Sequence, residues 1–486
     1  MMFKGALYKP TSKAILRTFI CLLLAKAMWF GIFSLNLDNV FDQTCTIGFA
    51  FSAKDTPMYF SPLEALYESG HYTSICRMPG LLPIYLPLRL LFDSHLSIQF
   101  IVVLQIIADA ITSLLLCLLA VRFFPSRRVL VITTTMLCLS SFIAIRSMYL
   151  LSDSFGISSL IVSSFFLVQF ADTKRKSTLI WSGLFLIWSI FLRQVVILLI
   201  PVYLIILLSL LQYHWRRFLV HAVWFSLPIV IALSAWTARN QLVYHRTIFL
   251  VAPVEECMTQ LTPAYSSIRK FIIATGKDFQ PWTVGDAAYW FVQPDQQQKL
   301  IMPYNESDFT SAFNADSLIS LKNEYQALLQ LNPESAEYHR AENSIINKSQ
   351  RYSNSYKSEH KFRFLVTDKI GFLVKFLFPR KIDDLPFPAF NSMSILQKIV
   401  KGWSLLFLWV ISAMSLSGFI YCLFTRKFQQ LLWLLIPFSL IFAQSFLGFI
   451  EQRFLATSYP FMVVTCAILI HLLLRKLQKP TSVQQH

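Results

Sequence analysis

The chain has 486 residues, of which 55% are hydrophobic and only 14% charged, with 44 phenylalanines among them. A soluble globule cannot hide that much apolar side chain from water, so the composition excludes one. The formal charge of +17 does not indicate nucleic acid, because the lysines and arginines fall in short clusters between long apolar runs, as the positive-inside rule describes for membrane proteins.

Each apolar run approaches the roughly 20 residues needed to cross a hydrocarbon core. Leu/Ile/Phe runs without two-residue alternation predict helices, which satisfy their own backbone in lipid. In chain order the predicted spans are 14–35, 96–121, 129–146, 151–171, 178–192, 194–212, 218–236, 398–424, 428–449 and 454–474. Residues 14–35 read as a retained first span, since no small-residue cleavage site follows MMFKGALYKPTSKAILR. Lys4, Lys9, Lys13 and Arg17 precede it, and Arg122, Arg127 and Arg128 follow the second span. Later clusters are Lys174–Lys176, Arg216 and Arg217, Arg426 and Lys427, and Arg475, Lys476 and Lys479. About ten spans with both ends inside put every cluster on the cytoplasmic side, whereas one span more or fewer scatters them.

The chain then divides into residues 1–236, a transmembrane module whose first outer loop is 36–95; residues 237–395, an extracytoplasmic segment; and residues 396–486, the last transmembrane helices and a short cytoplasmic tail. Residues 79–92, PGLLPIYLPLRLLF, are apolar but short, with three prolines and an arginine, and are expected to form an interfacial or re-entrant helix on the outer side. In the long outer segment, NADSLISLKNEYQALLQL and SAEYHRAENSIINKSQRY read as helices separated by the turn Asn332-Pro333. KFRFLVTDKIGFLVKFLF, residues 361–378, reads as an amphipathic helix returning to the membrane. Cys21, Cys117, Cys138, Cys422 and Cys466 lie in spans as small apolar residues, while Cys45 and Cys76 share the first outer loop and could pair in an oxidising compartment.

Polar groups at or near membrane depth are costly to place and are the first candidates for chemistry. Asp55 leads, in KDTPMYFSPLEALYESG, with Tyr59 and Glu64 at +4 and +9; Asp38 and Asp42 are weaker versions of it. Asp153, in LLSDSFGIS, starts the fourth span. There Ser152 or Asp153 caps the helix, or else Asp153 faces Asp55 and the two carboxylates hold a divalent cation, Mg or Mn. Arg77, Arg193, Arg239 and Arg453 are expected at the outer face. One such arginine usually snorkels; several at one level, where positive charge has no topological reason to be, suggest a phosphate-bearing ligand. Gly-rich phosphate loops, His-Glu-x-x-His, Cys-x-x-Cys and Gly-x-Ser-x-Gly are absent from the sequence, which argues against ATP-driven transport and zinc hydrolysis.

Taken in order, four signals resemble the GT-C membrane glycosyltransferases, in particular the bacterial branch akin to protein O-mannosyltransferases and aminoarabinose transferases. They are Asp55, Tyr59, Ala65, Leu66 and Gly70 closed by Arg77-Met78-Pro79-Gly80; Ser152-Asp153; Trp236-x-x-Arg239-Asn240; and Glu451-x-Arg453-Phe454 leading to Tyr459-Pro460. The resemblance covers the membrane portion and not residues 241–395. It implies an all-α GT-C-type bundle with outer-face loop helices, in a bacterial cytoplasmic (inner) membrane with the active site facing outward. It further implies a polyprenyl-phosphate sugar donor, a lipid, glycan or protein acceptor, and Asp55 as general base. Arg239, Arg453 and Arg77 would stabilise the lipid phosphate, and Asp153 would position a metal or the acceptor. Many relatives carry a second acid directly after the loop Asp; here that residue is Thr56. The competing expectations are a polysaccharide polymerase or ligase acting on lipid-pyrophosphate glycans, and a non-enzymatic transporter. The transporter is disfavoured by only 13 glycines and the lack of an evident pseudo-repeat.

Overall fold

The computed structural model describes residues 9–34, 46–53, 55–257, 262–277, 286–293, 301–382, 385, 387, 390–425, 428–448 and 451–477. Asp38, Asp42 and Cys45 lie outside these residues. The described chain is almost entirely α-helical, and its contacts divide it into two units. The first comprises residues 1–251, 377–440 and 452–486; the second comprises 252–376 and 441–451.

The first unit is a bundle of apolar helices: α1 (Ser12–Ser34), α4 (Ser94–Phe123), α5 (Arg127–Leu139), α7 (Asp153–Thr173), α8 (Lys176–Leu192), α9 (Leu199–Leu210), α10 (Trp215–Tyr244), α17 (Ile395–Phe424), most of α18 (Phe428–Leu447) and α19 (Gln452–Leu477). Every predicted span therefore overlaps one of these helices. Among the described residues, six helices (α1, α4, α7, α10, α17 and α19) are individually long and apolar enough to cross a membrane. Lys176–Leu192, Gln194–Leu210 and Trp433–Leu447 are apolar but shorter. The lengths and composition make this a multi-pass membrane protein.

The predicted span 129–146 is not one straight helix. After α5 the chain bends by 57° and continues through α6 (Ser141–Ala144) and a 3₁₀ turn ending at Ser147. Breaking a helix in an apolar setting frees carbonyls that need donors. Trp29 Nε1 donates to the Cys138 carbonyl at 2.9 Å and Trp403 Nε1 to that of Leu139 at 3.1 Å. Helices α7 and α8 pack through small residues, as membrane helices do: Ser163 Oγ donates to the Ser182 carbonyl at 2.7 Å, and Ser182 Oγ to the Ser163 carbonyl at 3.0 Å.

The segment expected to lie along the membrane contains α3 (Leu82–Leu91), ten residues long. At 1.5 Å per residue it rises about 15 Å, half of a hydrocarbon core, so it cannot cross alone. A fully buried Tyr85 and an Arg89–Glu64 ion pair of 3.2 Å tie it to α2 (Thr56–Ser69).

Deep in the bundle, Lys26 of α1 and Asp109 of α4 form an ion pair of 2.8 Å with side chains only 2% and 8% exposed. Neither drew attention in the sequence, although a charge in the middle of an apolar helix is the signal that finds such pairs. The same Asp109 oxygen accepts from Ser147 Oγ at 3.2 Å, and Ser147 Oγ accepts from Ser154 Oγ at 3.4 Å. Gln105 Nε2 adds a bond of 3.0 Å to the Leu151 carbonyl. The pair thus supports the non-helical stretch that leads into α7.

The second unit has its own aromatic core, from α12 (Pro263–Ala274), α13 (Asp286–Val292), α14 (Ala315–Leu328) and α15 (Ala336–Glu359). The two helices expected around Asn332-Pro333 are α14 and α15. The predicted helix 361–378 begins with a π-helical turn at Arg363–Thr367 before α16 (Asp368–Leu377). Buried Asp308 holds this unit's loops, lying 2.5 Å from Lys277 and 2.6 Å from Arg363.

Breaking a buried pair strands one charge and costs about 3–5 kcal/mol, whereas replacing both members by apolar residues is close to neutral. Lys26→Met should therefore lower the melting temperature of the detergent-solubilised protein strongly, and Lys26→Met with Asp109→Leu should recover most of the loss. A double variant no more stable than the single one would contradict this account.

Candidate active site

Asp55 occupies the N-cap position of α2, where an aspartate ordinarily accepts a hydrogen bond from the helix's own backbone. Its carboxylate makes no such bond. One oxygen, Oδ2, instead receives Arg453 Nη1 at 2.9 Å and Arg77 Nη2 at 3.4 Å. The helix gives up a cap worth about 0.5–2 kcal/mol and the carboxylate is committed to two guanidinium groups. Burial alone would raise the Asp55 pKa, but Arg453 and then Arg77 outweigh it, and the group lies below its usual 3.8.

The residues around Asp55 are held by backbone pairing. Strands β1 (Thr46–Ile47) and β2 (Ala50–Phe51) form a small hairpin. The Phe51 amide donates to the Met148 carbonyl at 3.1 Å, and the Leu150 amide to the Phe51 carbonyl at 2.9 Å. Thr56, the residue directly after Asp55, is buried; its hydroxyl accepts from the Ala53 amide at 2.8 Å and donates to the Leu150 carbonyl at 3.1 Å. A carboxylate there could accept the first bond but not donate the second. Thr56 is a stitch between the loop and the stretch before α7.

That stretch carries Asp153. The Ser152 hydroxyl does not cap α7 but donates to the Leu192 carbonyl at 2.7 Å. Asp153 does not face Asp55 as a cation ligand; it pairs with Arg193 at 2.5 Å, with side chains 2% and 5% exposed. Room for the Arg193 side chain comes from Gly156, where a Cβ would come within 2.8 Å of Arg193 Cγ. Arg193 Nη2 then donates to the Arg453 backbone carbonyl at 3.3 Å, and its guanidinium lies 4.9 Å over the Phe454 ring. The two acids are therefore joined through arginines, and a dication between them would meet three guanidinium groups. Among the described residues no three His, Cys, Asp or Glu side chains gather to hold a metal, so the arrangement does not fit the Mg or Mn expectation.

The Arg-Met-Pro-Gly turn packs on the end of α8. A Cβ on Gly80 would lie 2.7 Å from the Phe191 carbonyl group, and Trp188 Nε1 donates to the Gly80 carbonyl at 2.8 Å. Tyr59, Tyr72 and Ser152 line a crevice beside this turn that is too narrow to admit a water molecule. Arg77 stacks 4.8 Å over the Tyr59 ring, and the loop before it is fixed by Ser74 Oγ, which accepts from the Cys76 and Arg77 amides at 3.0 Å each. Tyr72, kept protonated by burial despite Arg239 nearby, donates to the Arg77 carbonyl at 2.9 Å.

Two other sequence candidates hold structure. Arg239 donates to the Ser74 carbonyl at 3.1 Å and to that of Tyr72, while its guanidinium is stacked by Trp236 at 5.1 Å and Tyr244 at 4.9 Å. With Tyr244 Oη donating to the Thr73 carbonyl at 2.7 Å, the Trp-x-x-Arg-Asn end of α10 clamps residues 72–74. Glu64 is taken up by Tyr85 and Arg89, away from Asp55. Glu451 belongs to the second unit. Cys76 is disulfide-bonded, as is Cys257, which the sequence reading passed over; Cys45 lies outside the described residues.

Compared with family models, curated sequences and solved structures, the chain finds no match.

If Arg239 is a clamp, Arg239→Lys keeps the charge but loses the fork that reaches two carbonyls. Hydrogen exchange of amides 72–77 should quicken about tenfold or more, and unchanged exchange there would remove the clamp.

Proposed function

We propose that this protein is a membrane glycosyltransferase that moves a sugar from a polyprenyl-phosphate donor to an acceptor hydroxyl, acting on the extracytoplasmic side of a cytoplasmic membrane. The observation that carries the reading is the single Asp55 oxygen held by Arg453 and Arg77 at the mouth of an apolar bundle. The resemblance to GT-C enzymes, the six helices long and apolar enough to cross a membrane and the basic clusters between the apolar runs of the sequence support the same reading.

The charge balance of the site suits such a donor. Asp55 and Asp153 face Arg77, Arg193 and Arg453, leaving one positive charge, and a sugar–phosphate–prenyl diester carries one negative charge. Asp55 would take the acceptor proton. The acceptor oxygen then bonds to the anomeric carbon as the bond from that carbon to the phosphate oxygen breaks. The electron pair leaves on the prenyl phosphate, and the configuration inverts. Arg453 and Arg77 would meet that developing charge. Arg193 acts one step back, fixing the Arg453 main chain through its own bond to Asp153.

In membranes supplied with labelled prenyl-phosphate sugar, Asp55→Asn should insert and fold normally yet lose transfer by about 10²–10⁴-fold, the usual worth of a general base. Full transfer by that variant would sink the assignment. It would favour a polymerase or ligase acting on lipid pyrophosphates through its arginines.

A further inference from the structure

The guanidinium groups assigned to the leaving phosphate are the ones that hold Asp55 in the resting protein, and both reach the same oxygen: Arg453 Nη1 at 2.9 Å and Arg77 Nη2 at 3.4 Å. A phosphate oxygen placed to accept from both would stand where Asp55 Oδ2 stands, so the two anions exclude each other. The contact is reachable, with the Asp55 and Arg453 side chains each 16% exposed and Arg77 22%; the neighbouring Asp153–Arg193 pair is sealed. Arg77 makes the longer of the two contacts, from the 72–77 loop instead of a helix.

We propose, resting on the function above, that Asp55 acts twice in each turnover: as base for the acceptor, and as the internal anion that reclaims Arg453 and Arg77 and so expels the prenyl phosphate product. The donor diester, with one charge, displaces Asp55 from the arginines. The freed carboxylate, now beside an anion and without its counter-ions, becomes a stronger base, which a carboxyl held below its usual value by Arg453 and Arg77 is not. Transfer moves the acceptor proton onto Asp55 and turns the diester into a monoester of about −1.5 to −2 charge. The site then has one carboxylate against three guanidiniums, which matches the product and holds it. Loss of the proton from Asp55 to water restores the second carboxylate, which returns to the arginines and leaves the product without partners.

The test is binding, not turnover, using farnesyl phosphate on the full-length protein in nanodiscs with farnesol as the uncharged control. Native protein should bind farnesyl phosphate and not farnesol. Asp55→Asn, with the internal anion removed, should bind it about tenfold or more tighter, the scale of one charge-assisted hydrogen bond. Asp55→Ala takes its place should the Asn variant not fold. Asp93→Asn, which removes an acid that caps α4 instead of facing these arginines, should bind as native protein does. Equal or weaker binding by the Asp55 variants overturns the expulsion role while leaving the glycosyltransferase reading standing. No binding of farnesyl phosphate by any form removes the lipid-phosphate donor, and the inference with it.

Discussion

A carboxylate oxygen shared by two guanidinium groups ties together parts of the chain that lie far apart. Asp55 and Arg453 are separated by 398 positions, and Arg77 comes from the loop between them. Leaving these groups unpaired beside an apolar bundle is unfavourable, because a charge withdrawn from water loses solvation that a partner restores. The start of α2, the start of α19 and the Arg-Met-Pro-Gly turn therefore meet at one point. The surrounding bonds serve that meeting: Thr56 stitches the loop to Leu150, Gly80 lets the turn rest on α8, and Arg239 clamps residues 72–74.

The ion pairs of the first unit differ in how far water reaches them, and that separates their roles. Lys26–Asp109 and Asp153–Arg193 are closed off, with every side chain at 8% exposure or less. Pairs so enclosed have nothing to exchange partners with, and they fix geometry. Through Ser147 and Ser154 the first supports the segment that positions the second, and Arg193 passes that order to the Arg453 main chain. The Asp55 cluster, at 16–22% exposure, is where a ligand can compete. Rigid pairs beneath an exchangeable one are what a preorganised anion site needs.

Legibility in the sequence followed burial of whole elements more than the placement of single side chains. The apolar runs marked every bundle helix, because exposure to lipid acts on twenty residues at once. The break at residue 140 escaped, since it depends on Trp29 and Trp403 arriving from other helices to satisfy its carbonyls. Asp55, Arg77, Arg453, Asp153 and Arg193 were all legible as costly polar residues near helix ends, but their pairing was not. Asp153 was expected opposite Asp55 and instead holds Arg193; Arg239 was grouped with the phosphate arginines and instead holds a loop; Glu64 holds Tyr85 and Arg89. Lys26 and Asp109 were visible as charges in apolar runs and were passed over.

By itself, then, the sequence determined the class: a helical membrane protein with a cluster of acids and arginines at the ends of its helices. Hydropathy and charge act locally along the chain, and one dimension suffices to read them. Only the tertiary structure decided which arginine answers which acid, because a guanidinium is satisfied by a carboxylate or by backbone carbonyls alike. The choice is made by approach distances of a few ångströms. That choice left Asp55 with two arginines on one reachable oxygen, while Asp153 was sealed beneath it.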